Sequence, residues 1–523
     1  MNNQIQKFCD SSMSTIEGWF GRAFGKELNP MYYLGALTVY LFYIVLVSGI
    51  YVFVLYESSI FGAWSSLEYM SNELRWSAGI MRSLHRYASD AAIITIFAHM
   101  FREFMRDRFR GVRWYSWFTG IPVLWMTALL GISGYWLVWD TMAQYIAIAS
   151  SEMMDWLPIF TEPMARNFLT SEDMNDRFFT LIAFIHVIGI PIFLVFGVWI
   201  HLFRISRSTI NPPRGLAIGT LLALVVLSIV YPAVSHEQAN LDTIPASVNL
   251  DWFYLNIFPL ADSWSMGAIW ALVWGVSVFL MILPWFPIKK QPPVAVVFPE
   301  ECNGCGQCED DCPYSAIEMV KREDDSPYDE VAVVQADHCV SCGICAGSCP
   351  SSTPFRKMDP LVTGIDMPDD SIHALRNDTN TVLENLSEDT RMIVYGCAHA
   401  ANLDQYNNSG TAVITLPCTG MLPASFIDYS LRRGNVDGVF ITGCVDNNCH
   451  FRHGNNWLDE RIDHERKPAL RSRVDRNRVH IFRAETSDQK KLGGALDEFR
   501  SYLEGYKPDT VEKEETKEVE NHD

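Results

Sequence analysis

Residues 82–101 read RSLHRYASDAAIITIFAHMF, and residues 178–203 read FFTLIAFIHVIGIPIFLVFGVWIHLF. Each apolar stretch carries two histidines: His85 and His99, 14 residues apart, then His186 and His201, 15 apart. At ~1.5 Å rise per residue each pair spans roughly 21–23 Å, and about four turns bring the second imidazole back to nearly the same face. A lone histidine on an apolar helix is ordinarily a satisfied core residue. Four of them in matched pairs are what two stacked haems need, because neutral imidazole is a common axial ligand for haem iron. The pattern predicts a membrane bundle that carries electrons.

Working outward, apolar runs of ~20 residues predict six spans near 31–55, 82–101, 115–137, 178–203, 215–234 and 264–286. Arg102, Arg106, Arg108, Arg110 and Arg113 follow the second span, Arg204, Arg207 and Arg214 the fourth, and Lys289 and Lys290 the sixth. The segment Ser235–Ser263 holds no Lys or Arg. The positive-inside rule then places both termini in the cytoplasm of a bacterial or archaeal inner membrane. His85 and His186 share the outer level in that orientation, and His99 and His201 the inner. Gly35 and Gly49 in the first span, like Gly120 and Gly134 in the third, are also 14 apart. A residue without Cβ admits a porphyrin close to backbone, so Gly49 and Gly134 are expected at the outer haem, and Gly35 and Gly120 at the inner. Ordinary membrane packing also favours glycine, but the repeated spacing favours the haem reading. Residues 1–30 are expected to form an amphipathic cytoplasmic helix lying on the surface, without a cleavable signal peptide.

The 523 residues have a mean hydropathy of +0.05, which averages an apolar half, 31–287, with a soluble half, 288–523. A net charge of −20 argues against nucleic-acid binding, which favours a basic face. Twelve of the thirteen cysteines lie beyond position 300, which points to metal or cluster ligation rather than a disulfide framework. After Pro292-Pro293 come two copies of one motif, Cys302-x2-Cys305-x2-Cys308-x3-Cys312-Pro313 and Cys339-x2-Cys342-x2-Cys345-x3-Cys349-Pro350. This is the bacterial two-cluster ferredoxin pattern, in which the fourth Cys of each motif serves the other cluster. One 4Fe–4S cluster would take Cys302, Cys305, Cys308 and Cys349; the other Cys339, Cys342, Cys345 and Cys312. Tandem copies with their prolines argue against structural zinc.

Residues 356–390 read as a polar linker. Beyond it, strands near 392–396, 412–417, 438–443 and 479–483 alternate with helices near 422–433, 454–471 and 487–505, which predicts a small parallel α/β sheet over 391–506. Cys397, Cys418, Cys444 and Cys449 fall just past strand ends, where such folds build sites. From spacing alone they suit zinc, a 2Fe–2S cluster, or no ligand. Residues 507–523 read as an acidic disordered tail.

The run Arg82-Ser83-Leu84-His85-Arg86, His99, Gly134-Tyr135-Trp136-Leu137-Val138-Trp139-Asp140, Arg177-Phe178, His186 and His201 resembles cytochrome b over about residues 15–215. The resemblance is nearest to the form found in the photosynthetic cytochrome complex, whose second pair is also 15 apart. It implies a di-haem four-helix bundle over 31–215, two further membrane helices over 216–290, and Arg82 near an outer-haem propionate. Asp251-Trp252-Phe253-Tyr254 is similar to the family's Pro-Glu-Trp-Tyr quinol element, with Leu250 and Asp251 in place of Pro and Glu; Val138 replaces the usual Pro before Trp139-Asp140. Asp251, Tyr254 and Asp140 are therefore the candidates for an outer quinone site. Tyr33 stands where the photosynthetic form has a haem-linking Cys, which implies no third, covalent haem. The segment from Asp437 through Cys444 to Asn455 resembles the delta subunit of methyl-viologen-reducing hydrogenase, which implies a 2Fe–2S cluster on Cys397, Cys418, Cys444 and Cys449. That family usually has two cysteines around Cys397, whereas Ala398-His399-Ala400 follows here.

The reading is a multi-domain protein: a helical membrane bundle, a ferredoxin over 291–355 and a small α/β domain. Its function would be that of a quinone-linked electron-transfer subunit of a membrane oxidoreductase in a respiratory chain. Without a Gly-x-Gly-x-x-Gly after a strand, this chain needs a cytoplasmic FAD-containing subunit linked to NAD(P)H or a ferredoxin. Cytochrome b resemblance implies a homodimer. The alternatives are a heterodisulfide-reductase-like enzyme acting on a thiol/disulfide substrate, and a membrane redox sensor.

Overall fold

The structure is a computed structural model that describes residues 3–159, 176–243, 248–286, 292–433 and 436–506. The predicted acidic tail, Lys289 and Lys290 lie outside the described residues. The chain divides into two compact units, Met1–Lys289 and Lys290–Asp523.

The first unit is helical: α1 (Asn3–Phe24), α2 (Leu34–Leu55), α3 (Gly62–Asn72), α4 (Ile80–Met105), α5 (Trp114–Trp136) and α6 (Thr141–Asp155). A further long helix, α7, runs through Asp176–Phe184, a π turn at Ile185–Gly189 and Ile190–Leu202. It is followed by α8 (Arg214–Val230) and α9 (Met266–Ile282). α2 packs on α4, and α5 on α7.

Four helices among the described residues are long and apolar enough to cross a membrane, where the sequence suggested six: Pro30–Leu55, Gly111–Trp136, Phe179–Leu202 and Met266–Trp285. The two that fall short do so for different reasons. α8 has only 17 residues. α4 has 26 but carries Arg82, Arg86, Asp90, Arg102 and Glu103, charges that hydrocarbon accepts only when they are paired or face the bundle interior.

α1 does more than lie on a surface. Its Met13 and Glu17 are fully buried, and Glu17 pairs with Arg102 Nε at 2.7 Å and with Arg106. One carboxylate thereby neutralises part of the arginine cluster that ends α4, while Trp19 and Phe8 stay exposed.

The second unit begins with two small antiparallel pairs, β1 (Val296–Val297) with β4 (Ile365–Asp366) and β2 (Ile317–Lys321) with β3 (Glu330–Val334). A four-stranded parallel sheet follows, built from β5 (Met392–Cys397), β6 (Thr411–Leu416), β7 (Gly438–Gly443) and β8 (Val479–Arg483) in the order β6-β5-β7-β8. All six residues of β5 and of β7 are buried, as central strands covered on both faces must be. The helix expected over 454–471 stops at Ile462, just before His464 with its left-handed φ of 65°.

The stretch 356–390 is not a plain linker. Ser371 caps a helix, Ile372–Glu384, whose Ile372, Leu375 and Leu383 are buried. These side chains join one hydrophobic core that also contains Cys302 and Ile317 of the ferredoxin part and Ile393 and Val439 of the sheet.

Candidate redox centres

The histidines meet in pairs across the bundle. His85 on α4 faces His186 on α7 with ring centroids 6.4 Å apart, and His99 faces His201 at 6.5 Å. A metal–imidazole bond of about 2.0–2.1 Å on each side of one iron would put the centroids roughly 6.3 Å apart. Axial histidines normally commit their second ring nitrogen to a hydrogen bond that fixes the tautomer. Here His85 Nδ1 lies 2.9 Å from the Val45 carbonyl and His186 Nδ1 3.0 Å from Ser133 Oγ, leaving Nε2 for a metal. His201 Nδ1 is 3.4 Å from Thr119 Oγ1.

Each glycine of the two spaced pairs lies against one of these rings. A Cβ added at Gly49 would come 2.8 Å from His85 Cε1, at Gly134 3.1 Å from His186, at Gly120 3.3 Å from His201, and at Gly35 3.5 Å from His99. The backbone therefore yields space to the imidazole itself. The π turn accounts for the unequal spacing. Fifteen residues of regular helix advance about 100° further than fourteen, and a π turn absorbs one extra residue. His186 sits inside that turn, so α7 offers its two rings as α4 does.

Asp251 is not a solvated loop residue. Its side chain is 7% exposed and lies 3.0 Å from Arg86 Nη1, which also holds Asp90 at 2.7 Å. Tyr135 donates its hydroxyl to the same carboxylate, and Arg86 covers the Tyr135 ring with 4.8 Å to the centroid. Tyr254 is nearby in the chain but donates to the Ser89 carbonyl at 2.7 Å. Asp140 caps α6: Oδ1 accepts Ala143 N–H and Oδ2 accepts His236 N–H, both at 2.9 Å. Arg82 likewise spends its donors on protein, reaching the Leu67 carbonyl at 3.2 Å, Ser71 and Ser235 Oγ at 2.6 Å. Sequence reasoning missed Arg86, Asp90 and Tyr135; the signal was Asp90, a carboxylate within an otherwise apolar helical stretch.

Among the described residues, no three His, Cys, Asp or Glu converge on a point that would hold one metal ion. The ferredoxin thiols instead ring two cavities. One is lined by Cys302, Cys305, Cys308 and Cys349, the other by Cys312, Cys339, Cys342 and Cys345. That is the crossed partition of the motif, and a thiol ring around a cage suits a cluster better than an ion. Burial and neighbouring thiols push Cys308 up to about 12, and burial raises Cys342 and Cys345 as well. Loading iron must therefore displace protons.

In the sheet domain, Cys397 ends β5, Cys418 follows β6 and Cys444 follows β7, so adjacent parallel strands deliver three thiols to one edge. Cys397, Cys444 and Cys449 share a buried cluster, with Cys397 and Cys444 sulfurs 3.9 Å apart. Hydrogen bonds from Cys418 and Cys444 hold Cys449 well below the usual thiol range, and Cys418 and Cys444 are correspondingly raised. His399 and His450, each beside this set in sequence, stack at 3.7 Å.

Comparison with known proteins agrees with this division. Residues 20–209 match the cytochrome b/b6/petB family, 301–353 the 4Fe-4S dicluster domain and 389–505 the delta subunit of methyl-viologen-reducing hydrogenase. Cytochrome b6 of Prochlorothrix hollandica is 25% identical over 187 residues, covering 36% of this chain and 84% of that protein. A solved chain described as hyperthermophilic respiratory Complex III aligns with a TM-score of 0.40 and 18% identity, over 54% of this chain and 81% of that one. The chain thus joins, in order, a cytochrome b-like membrane domain, a 4Fe–4S ferredoxin domain and a hydrogenase delta-subunit-like domain, the architecture of a membrane electron-transport protein.

Proposed function

We propose that this chain is the quinone-linked electron-transfer subunit of a membrane oxidoreductase, exchanging electrons with a cytoplasmic flavoprotein. The facing imidazole pairs carry this reading. His85 and His186 would ligate an outer b haem, and His99 and His201 an inner one. The C-terminal thiols would hold a 2Fe–2S cluster beyond the two 4Fe–4S clusters. When bound, these groups supply one-electron redox chemistry at fixed positions. The protein's own contribution is to hold His85, His186 and His201 by Nδ1, to exclude bulk at Gly49, Gly134 and Gly120, and to keep eight ferredoxin thiols in two separate rings.

An outer quinone site at Asp251 is supported by its position in the Asp-Trp-Phe-Tyr element and by its shared arginine. Arg86 is shared between Asp90 and Asp251, so the pair offers a carboxylate that could take a proton from a quinol hydroxyl. Tyr254 and Arg86 would shape that site. Six crossings with both ends cytoplasmic remain the arrangement favoured by the arginine distribution.

The test is to add a quinol analogue to membranes containing the overexpressed complex and follow haem absorption. Prompt haem reduction, with flavin retained after purification and NAD(P)H- or ferredoxin-dependent haem reduction through it, is the expected outcome. A complex without flavin and without such reduction contradicts the proposal.

A further inference from the structure

Cys342, from the second ferredoxin ring, and Cys418, from the C-terminal set, are buried in a single apolar cluster with Ile344, Phe451 and Trp457. Neither ferredoxin cavity is lined by a described residue of the parallel-sheet domain, but Arg452 of that domain donates to the Pro313 carbonyl, next to Cys312 of the second ring, at 3.1 Å. Beside the shared cluster lies Arg461, which is fully buried. It pairs with Asp311, the residue before Cys312, and donates to the Gly420 carbonyl, two residues after Cys418, at 3.1 Å. Arg466 also reaches Asp311 at 2.5 Å, and Trp457 Nε1 donates to the Asp311 carbonyl at 3.1 Å. A buried guanidinium is costly unless its partners are in place. This one ties the Asp311 carboxylate, beside Cys312, to the backbone carbonyl of Gly420, near Cys418.

We propose that the 4Fe–4S centre of Cys312, Cys339, Cys342 and Cys345 exchanges electrons directly with the C-terminal four-thiol centre across the Cys342–Ile344–Cys418 cluster, and that Arg461 is the positioning residue that holds the two together. The inference rests on the reading that both thiol sets hold iron–sulfur centres. One electron leaves the reduced 4Fe–4S centre, oxidising it by one, and reduces the C-terminal centre by one; no bond forms and no proton moves. The reverse step balances in the same way.

The experiment is low-temperature EPR on the full-length protein during stepwise chemical reduction. The signal of the C-terminal centre is expected to split, or to relax faster, as one 4Fe–4S centre becomes paramagnetic. Cys339→Ala should abolish that interaction and Cys302→Ala should leave it. Arg461→Met should weaken it at least twofold with iron and sulfide content unchanged, and Arg461→Lys should restore most of it. Because Arg461→Met leaves buried Asp311 with one cation fewer, the Arg461→Met/Asp311→Leu double variant is measured alongside and should show the same weakening. Loss of the interaction in Cys302→Ala but not in Cys339→Ala overturns the inference, and so does wild-type interaction in fully loaded Arg461 variants. Two normal signals with no mutual interaction overturn it alone. Absence of any C-terminal iron–sulfur signal contradicts the functional reading as well.

Discussion

At the scale of the residue, the glycines make the sharpest discrimination. An added Cβ at Gly49 would stand 2.8 Å from His85, a distance that forces the ring to move, whereas at Gly35 the 3.5 Å to His99 is ordinary contact. Gly49→Ala should therefore lower haem content towards one per chain, and Gly35→Ala should leave it at two, as measured by pyridine haemochrome. Equal loss in both variants would show that the glycines act through general packing. Asp251 offers a second test. Asparagine keeps its size and a hydrogen-bond acceptor for Tyr135 but cannot take a proton. A positioned general base contributes typically 10²–10⁴-fold, so Asp251→Asn should slow quinol-driven haem reduction by about 100-fold with haem content intact. An unchanged rate would place proton release elsewhere.

Among the elements, α4 and α7 show what a sequence reveals and what it hides. The histidine spacing, the strand pattern and the crossed cysteine partition follow from periodicity and motif, and each has its counterpart in the fold. The π turn at Ile185–Gly189 does not follow from the histidine spacing alone, although Pro191 just beyond it lacks the N–H that regular helix would give the Val187 carbonyl. Asp251 was visible as a residue but not as one locked to Arg86, since the two are 165 positions apart. Charge keeps α4 from being as apolar as its neighbours for the same reason that it matters: its arginines and carboxylates are paired. The π turn yields a paired deletion experiment. Removing Val187 should let α7 return to regular helix with its histidines 14 apart, and both haems should remain. Removing Ala92 from α4, which has no such turn to absorb the change, should rotate His99 by about 100° relative to His85 and cost one haem. Equal haem content in the two deletions would contradict this account.

For the whole molecule, the sequence suggested a ferredoxin and an α/β domain joined by a polar linker, while the structure gives both parts one core. The polar composition of 356–390 concealed Ile372, Leu375 and Leu383, three apolar residues on one helix face that anchor it. Hydrogen exchange on the full-length protein should therefore show the ferredoxin region and the parallel sheet losing protection together once iron is removed by a chelator. Loss confined to the ferredoxin region would mean that the shared core does not couple them. The central claim concerns the first unit: two irons, each between one histidine of α4 and one of α7. Haem content per chain in the single variants His85→Ala, His99→Ala, His186→Ala and His201→Ala, with redox titration of what remains, tests it most directly. The account predicts two b haems in the parent protein, with His85→Ala and His186→Ala leaving the same surviving haem and His99→Ala and His201→Ala leaving the other. A colourless parent protein, or survivors that pair His85 with His99, would contradict it.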